Sequence, residues 1–405
     1  MRGNVSGHPY GMSVADAGNA GATPAVASSR DPYLDFVRSW AIMRVVAVHL
    51  LGIAPIALLW WPAPTFVAPG MPLVFFVAGA LALKSLDPWR KRHATPKEFW
   101  LDRFRRLLLP FWVYLAVALT ITVTLDLVNP GAAFDIDYRR AALTAVPLLN
   151  PLTSPAGYLG MVHLWFLVAI SWLLIAAPGL VWLHRRYPRL LLGGVIAVAL
   201  AVPLLGIHTA ASFFPEISSI ALFAFFFVLG FWYTDGFLVG GVVPGRRTGV
   251  FDGWSGAAIA GAAFAAAWVV WQVHQPGSIN DSHLLHGFLG LGWLALILVG
   301  RPWIARLANA MPRTLNTLNR RALTLYLWGW PTTAMSAEIV RWWGLNGAFG
   351  TVVFFLLAIA SLVAAVAIFG RVEDFAARRT TSSTDATRSV KADVAPSPVQ
   401  GAANA

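Results

Sequence analysis

The segment Leu34–Leu50 reads LDFVRSWAIMRVVAVHL. It is the first long apolar run of the chain, yet it carries Arg38, Arg44 and His49. Ionisable groups in a membrane-length segment are expensive in hydrocarbon, so they mark function by default. Eleven helical steps of about 100° bring Arg38 and His49 to nearly the same face, roughly 16 Å apart along the axis. Asp35 falls on that face too. Arg44 lies about 140° round the helix from His49 and stands outside this line.

The surroundings decide what kind of helix this is. Of 405 residues 58% are apolar and 12% charged, far too apolar for an ordinary soluble domain. Leu107–Leu125, Val162–Leu183 and Thr351–Gly370 each run for 18 residues or more without Asp, Glu, Lys or Arg, the length of a transmembrane helix. Only helices or closed barrels satisfy their backbone in lipid, and the short alternating segments of a barrel are missing. The fold class is therefore an all-α polytopic membrane protein. The absence of cysteine excludes disulfides, thiol-attached haem, Cys-based zinc sites and a cysteine nucleophile.

Apolar periodicity predicts about ten spans, near 36–58, 66–84, 107–128, 161–183, 190–207, 215–234, 254–273, 284–300, 322–341 and 349–370. With the N-terminus in the cytoplasm, 26 of the 30 Lys and Arg residues fall on the cytoplasmic side. Arg139, Arg140 and Arg341 fall outside. That asymmetry is the positive-inside pattern and predicts N-in, C-in. It also accounts for the net charge of +12 without nucleic acid. Residues 1–32 and 372–405 read as polar cytoplasmic tails, flanking a transmembrane domain over 33–371. Thr95-Pro-Lys-Glu is a helix start, which predicts a basic amphipathic surface helix before the third span. A short helix is expected near Arg139–Leu149 in the long outer loop 129–160. Gly79 and Ala80 on the second span would admit a close neighbouring helix.

The chemistry-bearing groups divide by side. On the cytoplasmic side Arg103 and Arg106 share a helical face and suit phosphate recognition; lipid headgroups or simple orientation by charge would suit them as well. Taken alone, His49 is a base, a proton shuttle, a metal ligand or a hydrogen-bonded core residue. On the outer side His163 and Trp165 open the fourth span, and Glu338 lies near the end of the ninth. His283 and His286 have the spacing of half a metal site, but no HExxH or carboxylate-rich partner accompanies them, so no metal is predicted.

Taken together and in this order, these segments resemble the acyltransferase-3 family of integral membrane acyltransferases. Arg38, ten residues and His49 resemble its first-helix signature. Met71-Pro-Leu-Val-Phe-Phe-Val-Ala-Gly79 resembles its FFxxSG segment, Arg103–Arg106 with Pro110 its RxxR-then-Pro motif, and His163-Leu-Trp-Phe-Leu its LWFL segment. Leu323-Thr-Leu-Tyr-Leu-Trp-Gly-Trp-Pro331 resembles its late SYxxYLxH helix. The resemblance covers about Tyr33 to Gly370. Ala78 stands where the family usually has serine, and Gly329 where many members have a late histidine. Arg44 is an additional charge. No SGNH hydrolase-like domain is recognisable, so the likeness is to the stand-alone form.

The resemblance implies transfer of an acyl group, usually acetyl, from cytoplasmic acyl-CoA to a hydroxyl. The acceptor would be an extracytoplasmic cell-envelope glycan, a lipid-linked sugar or a small metabolite, and the location the cell membrane. Arg103 and Arg106 would bind the donor, which is a substrate rather than a resident cofactor. Arg38 would orient the pantetheine end or steady His49, which serves as general base or transient acyl carrier, and Asp35 completes this catalytic group. His163, Trp165 and Glu338 would meet the acceptor. The alternative class is a proton-coupled transporter of a glycan or lipid, using Arg38 and His49 as its binding site.

Overall fold

The computed structural model describes residues 31–53, 70–86, 95–128, 138–149, 160–206, 217–242, 248–276 and 279–378. Among them helices dominate and no strand occurs. The helices are α1 (Pro32–Ile53), α2 (Met71–Leu86), α3 (Pro96–Val128), α4 (Tyr138–Leu143), α5 (Trp165–Arg186), α6 (Pro188–Leu204) and α7 (Ile217–Thr234). They continue with α8 (Gly253–His274), α9 (His283–Val299), α10 (Arg301–Ala310), α11 (Pro312–Arg320), α12 (Ala322–Trp342) and α13 (Gly347–Ala377). Each of the ten expected apolar segments holds a helix. Among the described residues five helices are long and apolar enough to cross a membrane, and the pair α9–α10, bent by 70°, brings the count to six if it is one broken span. The others fall short for visible reasons. α1 carries Asp35, Arg38 and Arg44, α2 has 16 residues and α6 has 17. α12 carries Thr332, Thr333, Ser336, Glu338 and Arg341 in its second half.

The expectations outside these spans fared unevenly. α4 (Tyr138–Leu143) overlaps the first part of the helix expected near Arg139–Leu149. The Thr95 start is a capping box: Glu98 N–H donates to Thr95 Oγ1 (3.2 Å) and Thr95 N–H to Glu98 Oε2 (3.3 Å). The separate surface helix does not form. Instead, α3 is one 33-residue helix through Pro110, about 50 Å long at 1.5 Å per residue. No turn signal separates Arg106 from Leu107, so the basic turns and the span share one axis. α13 runs to Ala377, past the expected boundary at 371. Of the expected tails, residues 1–30 and 379–405 lie outside the described residues.

Packing is tightest where α2 crosses α7. A Cβ on Gly79 would stand 1.9 Å from the Phe227 carbonyl oxygen, and one on Gly230 would stand 2.2 Å from that of Phe76. The two backbones touch because neither glycine has a side chain. Aromatic rings fill the flanks, with Phe75 stacked on Phe223 at 4.4 Å. Asp31 gathers one end of the bundle. It accepts from the Tyr33 N–H at the start of α1, from Tyr233 Oη of α7 (3.0 Å) and from Lys84 Nζ of α2 (3.5 Å). Asp235 similarly clamps α5 to the end of α7, bonding His184 Nε2 (2.9 Å) and Arg185 (2.9 and 3.0 Å). Burial alone would raise the Asp235 carboxyl, but its bonds from His184 and Arg185 hold it below the usual carboxylate range.

Candidate active site

A cavity of about 410 Å³ opens where the ends of α1, α2, α11 and α13 meet the basic turns of α3. The volume is that of a small-molecule site. Asp35 and Arg38 line it from α1, and Arg103 and Arg106 from α3. These four residues, named from sequence, thus share one space. Arg103 is anchored by α2, its guanidinium donating to Ser85 Oγ at 2.7 Å and lying over the Phe99 ring at 5.6 Å. Arg106 is held one turn back by Asp102, at 3.0 to 3.1 Å.

The opposite wall was not anticipated. Asn316, Asn319 and Arg320 of α11 and Glu373 and Asp374 of α13 complete the lining. Asn319 Nδ2 donates to the Asp35 carbonyl at 2.9 Å. Glu373 seats its carboxylate on the start of α12, accepting from the N–H groups of Leu323 and Thr324 and from Thr324 Oγ1 (3.2, 3.3 and 2.7 Å). An anion there complements the helix dipole. Asp374 takes Arg320 at 2.8 Å and Arg321 at 2.7 Å. Ala78 lines the cavity midway, at the position where a hydroxyl is usual.

His49 is not among the cavity-lining residues. It stands 17 residues from the start of α1, about 25 Å along the axis, against α12. Its ring meets Trp330 edge-on at 5.3 Å, and a Cβ on Gly329 would come to 3.8 Å from its Nδ1. Nδ1 is enclosed and has no hydrogen-bond partner among the described residues. His163, on the short 3-10 turn Val162–Leu164, packs against the same helix. Its Nε2 bonds the Leu327 carbonyl at 3.0 Å, and its own carbonyl accepts from Tyr326 Oη. His163 Nδ1 is also enclosed and unpartnered among the described residues. The two imidazoles are electrostatic neighbours. Tyr326 links them to the cavity, because it lines the cavity and its ring packs on His163 at 5.4 Å.

This is a layered site: a cavity rich in guanidinium groups, a tyrosine at its inner end, and a pair of imidazoles beyond. The protein-family model described as "Acyltransferase domain" matches residues 31–371, which take in the tyrosine, both imidazoles and all of the cavity lining except its α13 residues Glu373, Asp374 and Ala377. The chain belongs to the acyltransferase-3 family. No curated protein and no solved structure gives a significant match. Membership makes the chain a membrane acyltransferase.

The remaining sequence candidates of this acyltransferase lie elsewhere. Trp165 stacks on Phe223 at 5.8 Å, as part of the aromatic packing toward α7. Glu338 is exposed and paired with Arg341 at 2.6 Å on its own helix, and the structure does not bring it to the histidines. His283 bonds Ser219 Oγ at 3.1 Å, and His286 meets Phe223 edge-on at 5.5 Å. Among the described residues no three His, Asp or Glu side chains converge as a metal site requires. Arg44 is an electrostatic neighbour of both His49 and His286, and its Cδ would contact a Cβ on Gly70 at 3.1 Å.

Proposed function

We propose that this acyltransferase moves an acetyl group from acetyl-CoA, bound in the arginine-lined cavity, to a hydroxyl of an extracytoplasmic glycan, lipid-linked sugar or small molecule. The cavity carries the proposal. Arg38, Arg103, Arg106 and Arg320 meet there, and a polyanionic thioester is the acyl donor such a lining suits. The positive-inside pattern makes the cavity end cytoplasmic, where acyl-CoA is made. The same reading takes the ten segments as ten spans, N-in and C-in, in the cell membrane.

In this scheme the diphosphate end of the donor meets the guanidinium groups, and the pantetheine arm runs inward past Ala78 toward Tyr326. His49 removes the proton of the acceptor hydroxyl as the oxygen attacks the thioester carbon. The new O–C bond forms, the C–S bond breaks, and the proton ends on the departing sulfur. General base catalysis of this kind contributes about 10²–10⁴-fold in rate. Asp35 and Arg38 stay with the donor in the cavity. The test is consumption of labelled acetyl-CoA by the purified protein, paired with mass spectrometry of envelope glycans and metabolites from cells with and without it. An acetyl mass increment that depends on the protein supports the reading. Acceptor movement without thioester consumption would replace it with transport.

A further inference from the structure

Proline 331 sits inside α12. A proline has no N–H, so the carbonyl four residues earlier loses its helical donor. That carbonyl belongs to Leu327, and it is the one His163 bonds, at 3.0 Å. The same arrangement recurs in α5. Pro178 releases the Leu174 carbonyl, and the Trp100 indole N–H fills it at 3.0 Å. Satisfying a released carbonyl in a membrane helix is ordinary structural work, and an indole does it completely, because it has one nitrogen and only donates.

A histidine in that role differs by its second nitrogen. A carbonyl only accepts, so Nε2 must carry the hydrogen. In the neutral ring Nδ1 is then a lone pair held in a fixed orientation. That lone pair is enclosed, has no partner among the described residues, and belongs to an electrostatic neighbour of His49. His163 also packs against Tyr326, which lines the cavity. Buried polar atoms without partners are rare enough to call for a role. His163 therefore neighbours both the proposed base and a residue of the proposed donor's cavity, and its one open nitrogen is a proton acceptor.

We propose that His163 is a second catalytic residue, returning to the departing thiolate the proton that His49 takes from the acceptor hydroxyl. This rests on the donor and His49 roles proposed above. The steps balance. The hydroxyl proton passes to His49 as the O–C bond forms, then to Nδ1 of His163. The resulting imidazolium keeps Nε2–H on the Leu327 carbonyl and gives the Nδ1 proton to sulfur as the C–S bond breaks. Ester and thiol leave, and both rings end neutral.

The test uses full-length protein in membranes of the producing cell, which supply the acceptor, with acetyl-CoA as donor and released thiol as readout. In His163→Gln the amide nitrogen takes the place of Nε2 and keeps the bond to Leu327, while Nδ1 is lost. Thiol release should fall about 100-fold, the lower end of what a placed acid–base group contributes. An acetyl thioester of an aryl thiol leaves without needing a proton. With that donor the variant should recover to within about 5-fold of wild type, since general acid assistance matters least for the best leaving groups. His49→Ala should lose both donors alike. Wild-type turnover by His163→Gln, or an equal loss with both donors, would overturn the assignment.

Pro331→Ala gives a second measurement. The restored N–H competes for the Leu327 carbonyl and frees the His163 ring. A kcat roughly 10-fold lower, with KM for acetyl-CoA within about 2-fold, is expected from a misoriented acid–base group, and an unchanged kcat would refute the fixing of His163. Absence of thiol release from the wild-type protein would refute the donor reading itself, before any variant is compared.

Discussion

In the cavity the charged groups come with counter-charges. Asp102 holds Arg106, Asp374 holds Arg320 and Arg321, and the start of α12 holds Glu373. Beyond Tyr326, His49 packs on Trp330 and His163 on Tyr114 and Tyr326, and the Nδ1 of each is enclosed without a partner among the described residues. The difference separates two tasks. A binding site gains from many exchangeable partners, each worth little, and tolerates the loss of one. A proton-transfer site relies on one or two atoms whose surroundings supply no substitute. Variants of the two regions should therefore split cleanly between KM and kcat.

The largest effect is expected from His49→Ala. Turnover should fall by about 10²–10⁴-fold, while acetyl-CoA still binds the purified protein with near wild-type affinity, because His49 does not line the cavity. Calorimetric titration with acetyl-CoA, alongside the thiol-release assay, separates the two quantities. A loss of donor affinity matching the loss of rate would merge the regions and break the comparison. Next comes Arg103→Ala combined with Arg106→Ala. Hydrogen bonds to charged groups contribute about 1.5–3 kcal/mol each, so KM for acetyl-CoA should rise at least about 10-fold with kcat far less affected. Unchanged donor affinity would remove both arginines from the cavity's function.

Parts of this division were legible in the sequence. A charge within an apolar run stands out, which is why Asp35, Arg38 and His49 could be named before the fold; Arg103 and Arg106 were named by their shared helical face at the membrane boundary. Gly79 and Ala80 foretold a close neighbour for α2, though not that the neighbour would be α7 or that Gly230 would meet it. The far wall of the cavity was hidden because Asn316, Asn319, Arg320, Glu373 and Asp374 sit at helix ends, where polar residues are unremarkable. Their convergence is a tertiary fact: Asp374 and Arg320 are 54 positions apart. The role of Pro331 was half legible. The release of Leu327 follows from counting back four residues, but its donor, His163, is 164 positions away. Glu338 shows the reverse case, since Arg341 three residues on was visible as its partner from the start.

Counter-charges within the cavity lead to a smaller and more discriminating effect. Asp374 occupies Arg320 and Arg321 from the α13 side. A donor phosphate approaching Arg320 competes with that carboxylate and is repelled by it. Asp374→Asn removes the repulsion and frees the guanidinium groups. Pairs of this partly exposed kind are worth about 0.2–1 kcal/mol, so acetyl-CoA should bind about 2- to 5-fold more tightly, with kcat unchanged. Gains are rarer than losses among point variants, which makes this sign informative. Weaker binding after Asp374→Asn would mean that Asp374 supports the wall more than it competes for it.

Glu338→Gln should have the smallest effect. Its partner Arg341 is on the same face of α12, and both side chains are largely exposed, at 51% and 71%. Exposed pairs three residues apart on a helix contribute a few tenths of a kcal/mol, so kcat and KM for acetyl-CoA should both stay within about 2-fold of wild type. The variant asks whether the chemistry ends with the histidines or extends along α12 to its far end. A large loss of transfer to the natural acceptor, with acetyl-CoA binding intact, would mean that the acceptor site reaches Glu338 and that α12 carries the reaction over most of its length.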